Sequence, residues 1–381
     1  MAETNTRTAF RKYFRRRVPA VAAGAIVAFG IASPAALASP VQQQVPPGLW
    51  GDALRRLVES GPTTTNAIPQ GRFLLGDVPA DGRATPQPAE KQPAGTQPAQ
   101  PQPRNKWVTG SHYEQTTAPS VLRAQGCDAG KQSINGLVVL AFGKPSYNGH
   151  TYGTILFSDR FVGNRSITYA MKSFARGYVS CLPEGSSAQI TLARGTSNYG
   201  ISVPNPNHAG RRWARETMVL AKWLRYHPAV GQHVRSAAGI DAEPAWDPSF
   251  HKTHAFFQGY RQAATGYLLY NFGSLDGGVG AIWNLRQAFY VAGGMKYARV
   301  VPEIYFPQMV HQWAQLARMA ERTFHRSVQF AGVMTQRAPG CGRHVCGFGP
   351  REAHNRLKHA LALVDATRPL SRHLASVTNI N

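Results

Sequence analysis

The sequence contains few acidic residues and few charged residues of any kind. Of its 381 residues, 19 are Asp or Glu and 42 are Lys or Arg, which gives a formal net charge of +23. Charged residues make up 16% of the chain and hydrophobic residues 43%. This composition excludes a chain that is disordered over its full length. The positive excess favours an anionic polymer as a partner.

Several motifs that mark well-known enzyme classes are absent. No Gly-x-Gly-x-x-Gly follows the first predicted strand and no phosphate-binding loop is present, so we expect no nucleotide cofactor. The Gly-x-Ser-x-Gly elbow of serine hydrolases is missing too. His251 and His254 lie close in sequence but lack a third ligand at a suitable spacing, so we expect neither a metal nor any other cofactor. Without an acidic metal cluster or a base-reading basic helix, the pattern argues against nucleic acid as a partner.

Residues 1–38 have the pattern of an export signal. A basic stretch from Arg11 to Arg17 precedes the uncharged run Val18–Ala32, and Ala36-Leu37-Ala38 forms a cleavage site. The alternative is an uncleaved anchor, because Val18–Ala38 is just long enough to span a bilayer. We therefore expect a secreted or extracellular protein, with cell-envelope association left open and membrane contact only through an uncleaved signal.

Residues 39–106 predict a disordered linker rich in Pro and Gln. The stretch from Pro79 to Pro103 contains almost no large apolar residue and cannot offset its ordering entropy. Residues 107–381 form the predicted folded domain.

Four cysteines follow the export signal, and an even number in an oxidising compartment indicates two disulfides. Cys341 and Cys346 share one glycine-rich loop, which leaves Cys127 to pair with Cys181. The alternative is a zinc loop that uses His344, although it offers only three ligands.

Strand-like and helical patterns alternate along the domain, which predicts parallel strands joined by helical crossovers. The expected fold class is α/β, a (β/α) TIM-like barrel, either regular or irregular with fewer than eight regular strands. Six strands are predicted, and Tyr152–Phe157 or Trp107–Tyr113 could supply others. The predicted strands are Leu137–Phe142, Ala188–Ala193, Ala237–Glu243, Tyr267–Tyr270, Ala298–Tyr305 and Val328–Met334. The predicted helices are Ile167–Val179, Trp213–Tyr226, His251–Ala263, Ile282–Tyr290, Met309–Glu321 and Arg351–Val364.

Acidic residues stand at the ends of two of these strands. Asp241 and Glu243 are two residues apart, so they share a strand face, and two close carboxylates raise the pKa of one of them, as a general acid requires. Glu303 would complete a glycosidase pair. The alternatives are a helix cap near Asp247 for the first two acids and a salt bridge with Arg299 for Glu303.

Other polar and aromatic residues at the strand ends are candidates for sugar binding. They are Trp246, Tyr270, Asn271, Asp276, Tyr305 and Gln336. Trp283, Trp313, Tyr147 and Tyr152 are further candidates for stacking on sugar faces.

The strand-end residues resemble two known groups. Glu243-Pro244 resembles the Asn-Glu-Pro acid/base motif of the retaining (β/α)-barrel glycoside hydrolases, with Ala242 in place of the Asn and Glu303 in the place of the nucleophile. Residues 127 to about 370 resemble secreted actinobacterial glycoside-hydrolase-like proteins, which implies the barrel and export but no substrate. The matching segments are Gly195–Gly200, Asp241–Trp246, Tyr270–Ser274, Pro302–Tyr305 and Met334–Gln336.

Two functions are therefore expected from the sequence. The first is a secreted glycoside hydrolase that cleaves O-glycosyl bonds of a polysaccharide or cell-wall glycan by carboxylate acid/base catalysis. The second is a non-catalytic envelope- or carbohydrate-binding protein on a degenerate barrel. The expected partner is a carbohydrate or an anionic cell-wall polymer in either case.

Overall fold

The computed structural model describes residues 110–336, 347–364 and 376–380. All of them belong to the unit Gly51–Asn381. The predicted export signal, the predicted linker and the pair Cys341 and Cys346 lie outside the described residues.

The described residues form alternating strands and helices. The strands are β1 (His112–Tyr113), β2 (Gly136–Ala141), β3 (Lys144–Tyr147), β4 (Tyr152–Ile155), β5 (Phe161–Gly163), β6 (Ile190–Ser197), β7 (Val234–Asp241), β8 (Leu269–Asn271), β9 (Ala298–Val300), β10 (Gly332–Gln336) and β11 (Ser376–Ile380). The helices are α1 (Pro119–Lys131), α2 (Asn164–Ser180), α3 (Pro206–Arg225), α4 (Pro228–Gly231), α5 (His251–Ala263), α6 (Leu285–Phe289), α7 (Pro307–Phe324) and α8 (Pro350–Val364).

A parallel sheet is the centre of the fold. Its strand order is β1-β2-β6-β7-β8-β9, and β10 and β11 form a separate parallel pair. Isolated parallel bridges connect Val300 with Phe330, Glu303 with Met334 and Ser111 with Ile380. The predicted α/β class and the predicted parallel strands are confirmed.

The two segments that were expected to supply extra strands behave differently. Residues 112–113 form β1, which pairs in parallel with β2. Residues 152–155 form β4, which instead pairs antiparallel with β3 and β5 in a small separate sheet. A local hairpin explains the difference, because the turn at Asn148–Thr151 brings β3 and β4 together directly.

Some helices and strands begin or end at residues other than those predicted, because proline and capping residues determine where they start and stop. Helix α3 begins earlier than predicted, because the Asn205 side chain accepts a hydrogen bond from the His208 N–H at 2.9 Å and caps the helix. Strand β9 ends at Val300, because Pro302 has no N–H for the ladder. The predicted helix over Ile282–Tyr290 is shorter as an α-helix and continues as the π-helical turn Tyr290–Gly294.

Alternate residues of the central strands face two different apolar clusters. Val138 and Leu140 of β2 belong to the cluster under the helices, whereas Leu137 and Val139 belong to a second cluster on the opposite face. Ala237 of β7 lies in the second cluster. The two-residue repeat of a strand therefore places Asp241 on the same face as Ala237.

Helices α1 and α2 touch through their backbones. A Cβ atom on Gly126 would lie 2.1 Å from the Phe174 carbonyl oxygen, and one on Gly177 would lie 2.0 Å from that of Arg123. The disulfide Cys127–Cys181 joins the same two elements, and this confirms the predicted pairing. Such a bond is compatible with an extracellular location. Among the described residues, the longest apolar stretches fall short of what a membrane-crossing helix requires.

Loss of this disulfide should destabilise the domain more than loss of the pair predicted at Cys341 and Cys346. Cys127 and Cys181 are 54 residues apart, and the loop-closure entropy for that length corresponds to about 4 kcal/mol, against about 2 kcal/mol for a five-residue separation. Urea unfolding of Cys127→Ser/Cys181→Ser and of Cys341→Ser/Cys346→Ser measures the two losses. Equal losses would contradict the expectation.

Candidate active site

The end of β7 presents two acidic residues on one face. Asp241 is the last residue of the strand, and Glu243 remains extended, with φ −114° and ψ 138°. Pro244 then begins a 3-10 turn that includes Trp246. The strand alternation and the proline stop together leave both carboxyl groups at the carboxyl end of the sheet.

Asn198 fixes the backbone of Glu243 from the neighbouring strand end. Its side-chain oxygen accepts the Glu243 N–H at 3.0 Å, and its amide nitrogen donates to the Glu243 carbonyl at 2.9 Å. The same nitrogen lies 3.0 Å from the Thr253 hydroxyl. Asn198 is fully buried, so this clamp holds Glu243 in one orientation.

Asn271 supports the same strand end from β8. Its side-chain oxygen accepts the N–H groups of Ala242 and Gly273, each at 3.1 Å. The residue is fully buried, and its amide nitrogen has no hydrogen-bond partner among the residues that the structure describes. Asn271 therefore fastens the backbone behind the carboxyl groups, and its expected contact with a sugar stays a prediction.

Glu303 reaches the same place from the segment after β9. Its N–H donates to the Gly273 carbonyl at 3.3 Å, and the following Ile304 N–H donates to Met334 at 3.0 Å. Gly273 itself lies against the end of β7, because a Cβ atom there would lie 2.6 Å from the Ala242 carbonyl oxygen. The segment is thus held between the ends of β8 and β10.

The structure brings Asp241, Glu243 and Glu303 together. One carboxylate oxygen from each lies within 4.8 Å of the others. The three side chains are buried, with exposed fractions of 7%, 5% and 6%. We call this group the carboxyl cluster.

Burial raises the pKa of every member of the carboxyl cluster. Desolvation is the largest cause in each case, and the charges of neighbouring acids, Asp276 among them, add to it. The pKa values of Asp241 and Glu243 lie well above their ordinary range, and that of Glu303 is raised to about 8. The cluster therefore holds protons near neutral pH.

Polar neighbours distinguish Glu303 within the cluster. Burial raises its pKa, whereas the Tyr305 hydroxyl and the Glu243 carboxyl beside it lower the pKa and favour the ionised form. Ser274 acts in the same way on Glu243, whose pKa burial and the neighbouring acids nevertheless raise well above its ordinary range.

The structure does not support the alternatives considered for these acids, which were a helix cap for Asp241 and Glu243 and a salt bridge with Arg299 for Glu303. The ion pairs formed between described residues are Lys131–Asp128 and Arg356–Glu352, both on the surface. Arg299 donates instead to the Ala298 carbonyl at 2.8 Å. The capping role belongs to Asp247, which accepts the Thr253 N–H at 2.7 Å in helix α5.

Asp276 lies beside the cluster in a turn after β8. Its backbone has a positive φ of 42°, a conformation that Asp tolerates better than most residues. One carboxylate oxygen accepts the Ala245 N–H at 2.8 Å, and the other accepts the Ser274 hydroxyl at 2.5 Å. Asp276 therefore links the turn that carries Trp246 to the residue that touches Glu243.

Some of the aromatic candidates for sugar binding lie at the site, and others belong to the apolar core. Trp246 is half-buried and meets Tyr199 edge-on at 5.5 Å, while Tyr305 is in contact with Glu303. Tyr270 lies in the apolar cluster of the same sheet face. Gln336 is half-buried at the end of β10.

Four aromatic residues do not behave as exposed stacking platforms near this site. Trp283 and Trp313 are 1% and 0% exposed and are core residues, which contradicts the expectation that they stack on sugars. Tyr147 and Tyr152 pack on each other in the small antiparallel sheet at 4.9 Å.

One residue near the site was missed in the sequence. Tyr113, at the end of β1, is half-buried, and its pKa is raised well above its ordinary value by desolvation and then by the charges of Glu303, Asp241 and Glu243. The next residue, Glu114, is buried against Gln125, and desolvation raises its pKa to about 7. A two-residue strand carries no periodicity that could have revealed Tyr113.

The carboxyl cluster can perform two kinds of chemistry. Three oxygen ligands suit a hard divalent cation such as Mg²⁺ or Ca²⁺. A shared proton suits general acid/base catalysis. Because burial raises the pKa of all three acids and keeps protons on them near neutral pH, the arrangement favours the second.

Comparison of the chain with protein-family models, with curated proteins and with solved structures found no match in any of the three. The geometry of the site is therefore the basis for assigning a function.

The folded state should lose stability as pH rises through the pKa of Glu303. The pKa of this acid is raised from 4.5 to about 8 on folding. Its contribution to the free energy of unfolding is therefore complete below pH 4.5 and is lost above about pH 8. Thermal unfolding between pH 5 and 9 should show a falling midpoint, and Glu303→Gln should flatten that fall. Glu352→Gln, on the surface, is the matched control and should keep the wild-type slope. The same slope in Glu303→Gln would contradict the assignment.

Proposed function

We propose that the protein is a secreted glycoside hydrolase that cleaves O-glycosyl bonds in a polysaccharide or cell-wall glycan. The observation that carries the proposal is the carboxyl cluster, in which three buried acids from two segments share protons at the carboxyl end of a parallel sheet. Acid/base hydrolysis of a glycosidic bond needs one protonated and one ionised carboxyl group across the scissile bond.

A closed barrel is part of the proposal. The isolated bridges continue the parallel order from β9 to β10 and from β11 back to β1. Eight strands would then surround the second apolar cluster, with the helices outside. The carboxyl ends of barrel strands are where active sites of such folds lie, and the carboxyl cluster is at that end.

The pKa shifts support an assignment of roles. Burial, and after it the charge of Asp241, raises the pKa of Glu243 well above its ordinary range, so Glu243 would act as the general acid that protonates the leaving oxygen. Glu303, whose ionised form is favoured by Tyr305 and Glu243, would be the nucleophile or base.

The spacing favours retention of configuration. Inverting enzymes separate their carboxyl groups by roughly 6.5–9.5 Å to admit a water, and retaining enzymes by roughly 5–5.5 Å. One oxygen of each acid lies within 4.8 Å of the others, which is nearer to the separation in retaining enzymes. Glu303 would then attack the sugar directly.

Replacing Glu243 by Gln should reduce hydrolysis by about 10²–10⁴-fold, because the leaving oxygen loses its proton donor. Released reducing ends over a panel of wall and plant polysaccharides measure the activity. The exposed Glu184→Gln is the control and should keep full activity. A chelator and added Mg²⁺ should leave the wild-type rate unchanged.

Full activity in Glu243→Gln would refute the assignment of the acid. A rate that depends on Mg²⁺ would assign the cluster to a cation instead. Circular dichroism of each variant separates loss of chemistry from loss of folding.

The second candidate is a non-catalytic protein that binds carbohydrate or the cell envelope. It is favoured by the low exposure of the three acids, 5–7%, and by the net charge of +23. In this case the protein should sediment with isolated cell walls and release no sugar. Binding should disappear above about 0.1 M salt, where the screening length is about 10 Å. Sugar release during the same incubation would contradict it.

A further inference from the structure

The outer face formed by α2 and α3 carries a strong excess of positive charge. Helix α2 contains three basic residues and no acid, and α3 contains five basic residues and one acid. That acid, Glu216, is 9% exposed and accepts the Thr168 hydroxyl at 2.6 Å. Among the described residues, none of these eight basic side chains forms an ion pair. The charge is therefore available to a ligand.

Aromatic rings lie among these cations. Three of the five large hydrophobic side chains that are exposed in the described part of the chain lie here, namely Tyr169 at 63%, Val219 at 45% and Tyr226 at 73%. Exposed apolar groups collected in one place indicate an interaction surface. Residues three and four apart share a helix face, which sets Tyr169, Lys172 and Arg176 on one stripe.

The two helices form one continuous surface at Trp223. Lys172 of α2 lies 5.7 Å from the Trp223 ring centre, and Arg176 lies 5.1 Å from it. Lys172 also lies 5.3 Å from the Tyr169 ring, and Lys222 lies 6.0 Å from the Tyr226 ring. We call this group, Tyr169, Lys172, Arg176, Lys222, Trp223 and Tyr226, the α2–α3 surface.

The cations of this surface are crowded. The pKa of Lys172 is lowered by burial and then by the charge of Arg176. An anion placed between two such groups would relieve their repulsion.

The type of aromatic residue on this surface indicates which class of polyanion it binds. Surfaces that insert into bilayers use Trp, Phe and Leu, whereas the most exposed rings here are tyrosines. Duplex nucleic acid keeps its base faces inside the stack, so it offers no partner for these rings. Sugar rings present apolar faces to an aromatic side chain and hydroxyls to its polar edge. The Cys127–Cys181 bond also fits an oxidising compartment outside the cytosol.

We propose that the α2–α3 surface is a binding site for a polyanionic glycan, with Lys172, Arg176 and Lys222 pairing with its acidic groups and Tyr169 and Tyr226 stacking on its sugars. The site is separate from the carboxyl cluster, so it holds whether or not the protein is a hydrolase. Carboxylate or phosphate could supply the charge, and two probes distinguish them.

The test measures binding to polygalacturonate, which carries carboxylates, and to a phosphorylated mannan. We expect at least one to bind at about 0.1 M salt and neutral dextran not to bind. Lys172→Gln/Arg176→Gln/Lys222→Gln should weaken binding at least about ten-fold and reduce the salt slope by about two, at roughly 0.7 per contact. Tyr169→Ala/Tyr226→Ala should weaken binding while keeping the slope.

The matched control removes the same charge elsewhere. Lys296→Gln/Arg318→Gln/Arg322→Gln changes three exposed basic residues outside α2 and α3 and should leave the affinity within about two-fold, because distant charges are screened. Equal losses in the two triple variants would overturn the proposal, since net charge alone would then explain binding. Unchanged affinity in the tyrosine variant, or tighter binding of single-stranded oligo-dT or of phosphatidylglycerol vesicles, would overturn it as well.

Discussion

Three carboxyl groups buried together are the constraint on which the rest of the site depends. An isolated buried carboxylate is too costly to persist, so such groups keep protons or share them. Here one oxygen of each acid lies within 4.8 Å of the others, and the pKa of each is raised. The contacts that hold the backbone around these residues keep the three groups together, so that protons remain on them.

The supporting groups act on the main chain more than on the carboxyl groups themselves. Asn198 and Asn271 hold the backbone at positions 242, 243 and 273 through their side-chain amides. Gly273 allows the strand ends to approach at a distance that a side chain would prevent. The carboxyl groups are thus placed by rigid strand ends and remain the polar atoms that can exchange protons. The molecule also separates its charges, since the cations of the α2–α3 surface lie on helices and the acids lie at strand ends.

Much of this arrangement could be predicted from local sequence patterns, and the remainder depends on tertiary contacts. The two-residue repeat through Ala237–Glu243 indicated that Asp241 and Glu243 share a face, and alternating strands and helices indicated that the next strands would lie alongside. Asp276 was predicted as a strand-end candidate, but its hydrogen bonds to Ala245 and Ser274 depend on a turn with positive φ that the sequence pattern does not reveal. Tyr113 lies in a strand of two residues, too short for a pattern. Trp283 and Trp313 show that an aromatic residue near a strand end can equally be core.

The backbone contact between α1 and α2 has a consequence for the outer face of α2. Where glycines bring two helices this close, neither helix can rotate or tilt without a clash between the two main chains, and the Cys127–Cys181 disulfide joins the two elements beside this contact. Side chains on the opposite side of α2 therefore project from a fixed rod, spaced by the helix rise of about 1.5 Å per residue. A polymer lying along Tyr169, Lys172 and Arg176 would therefore contact side chains at fixed spacings. Its affinity would depend on its repeat length as much as on its charge.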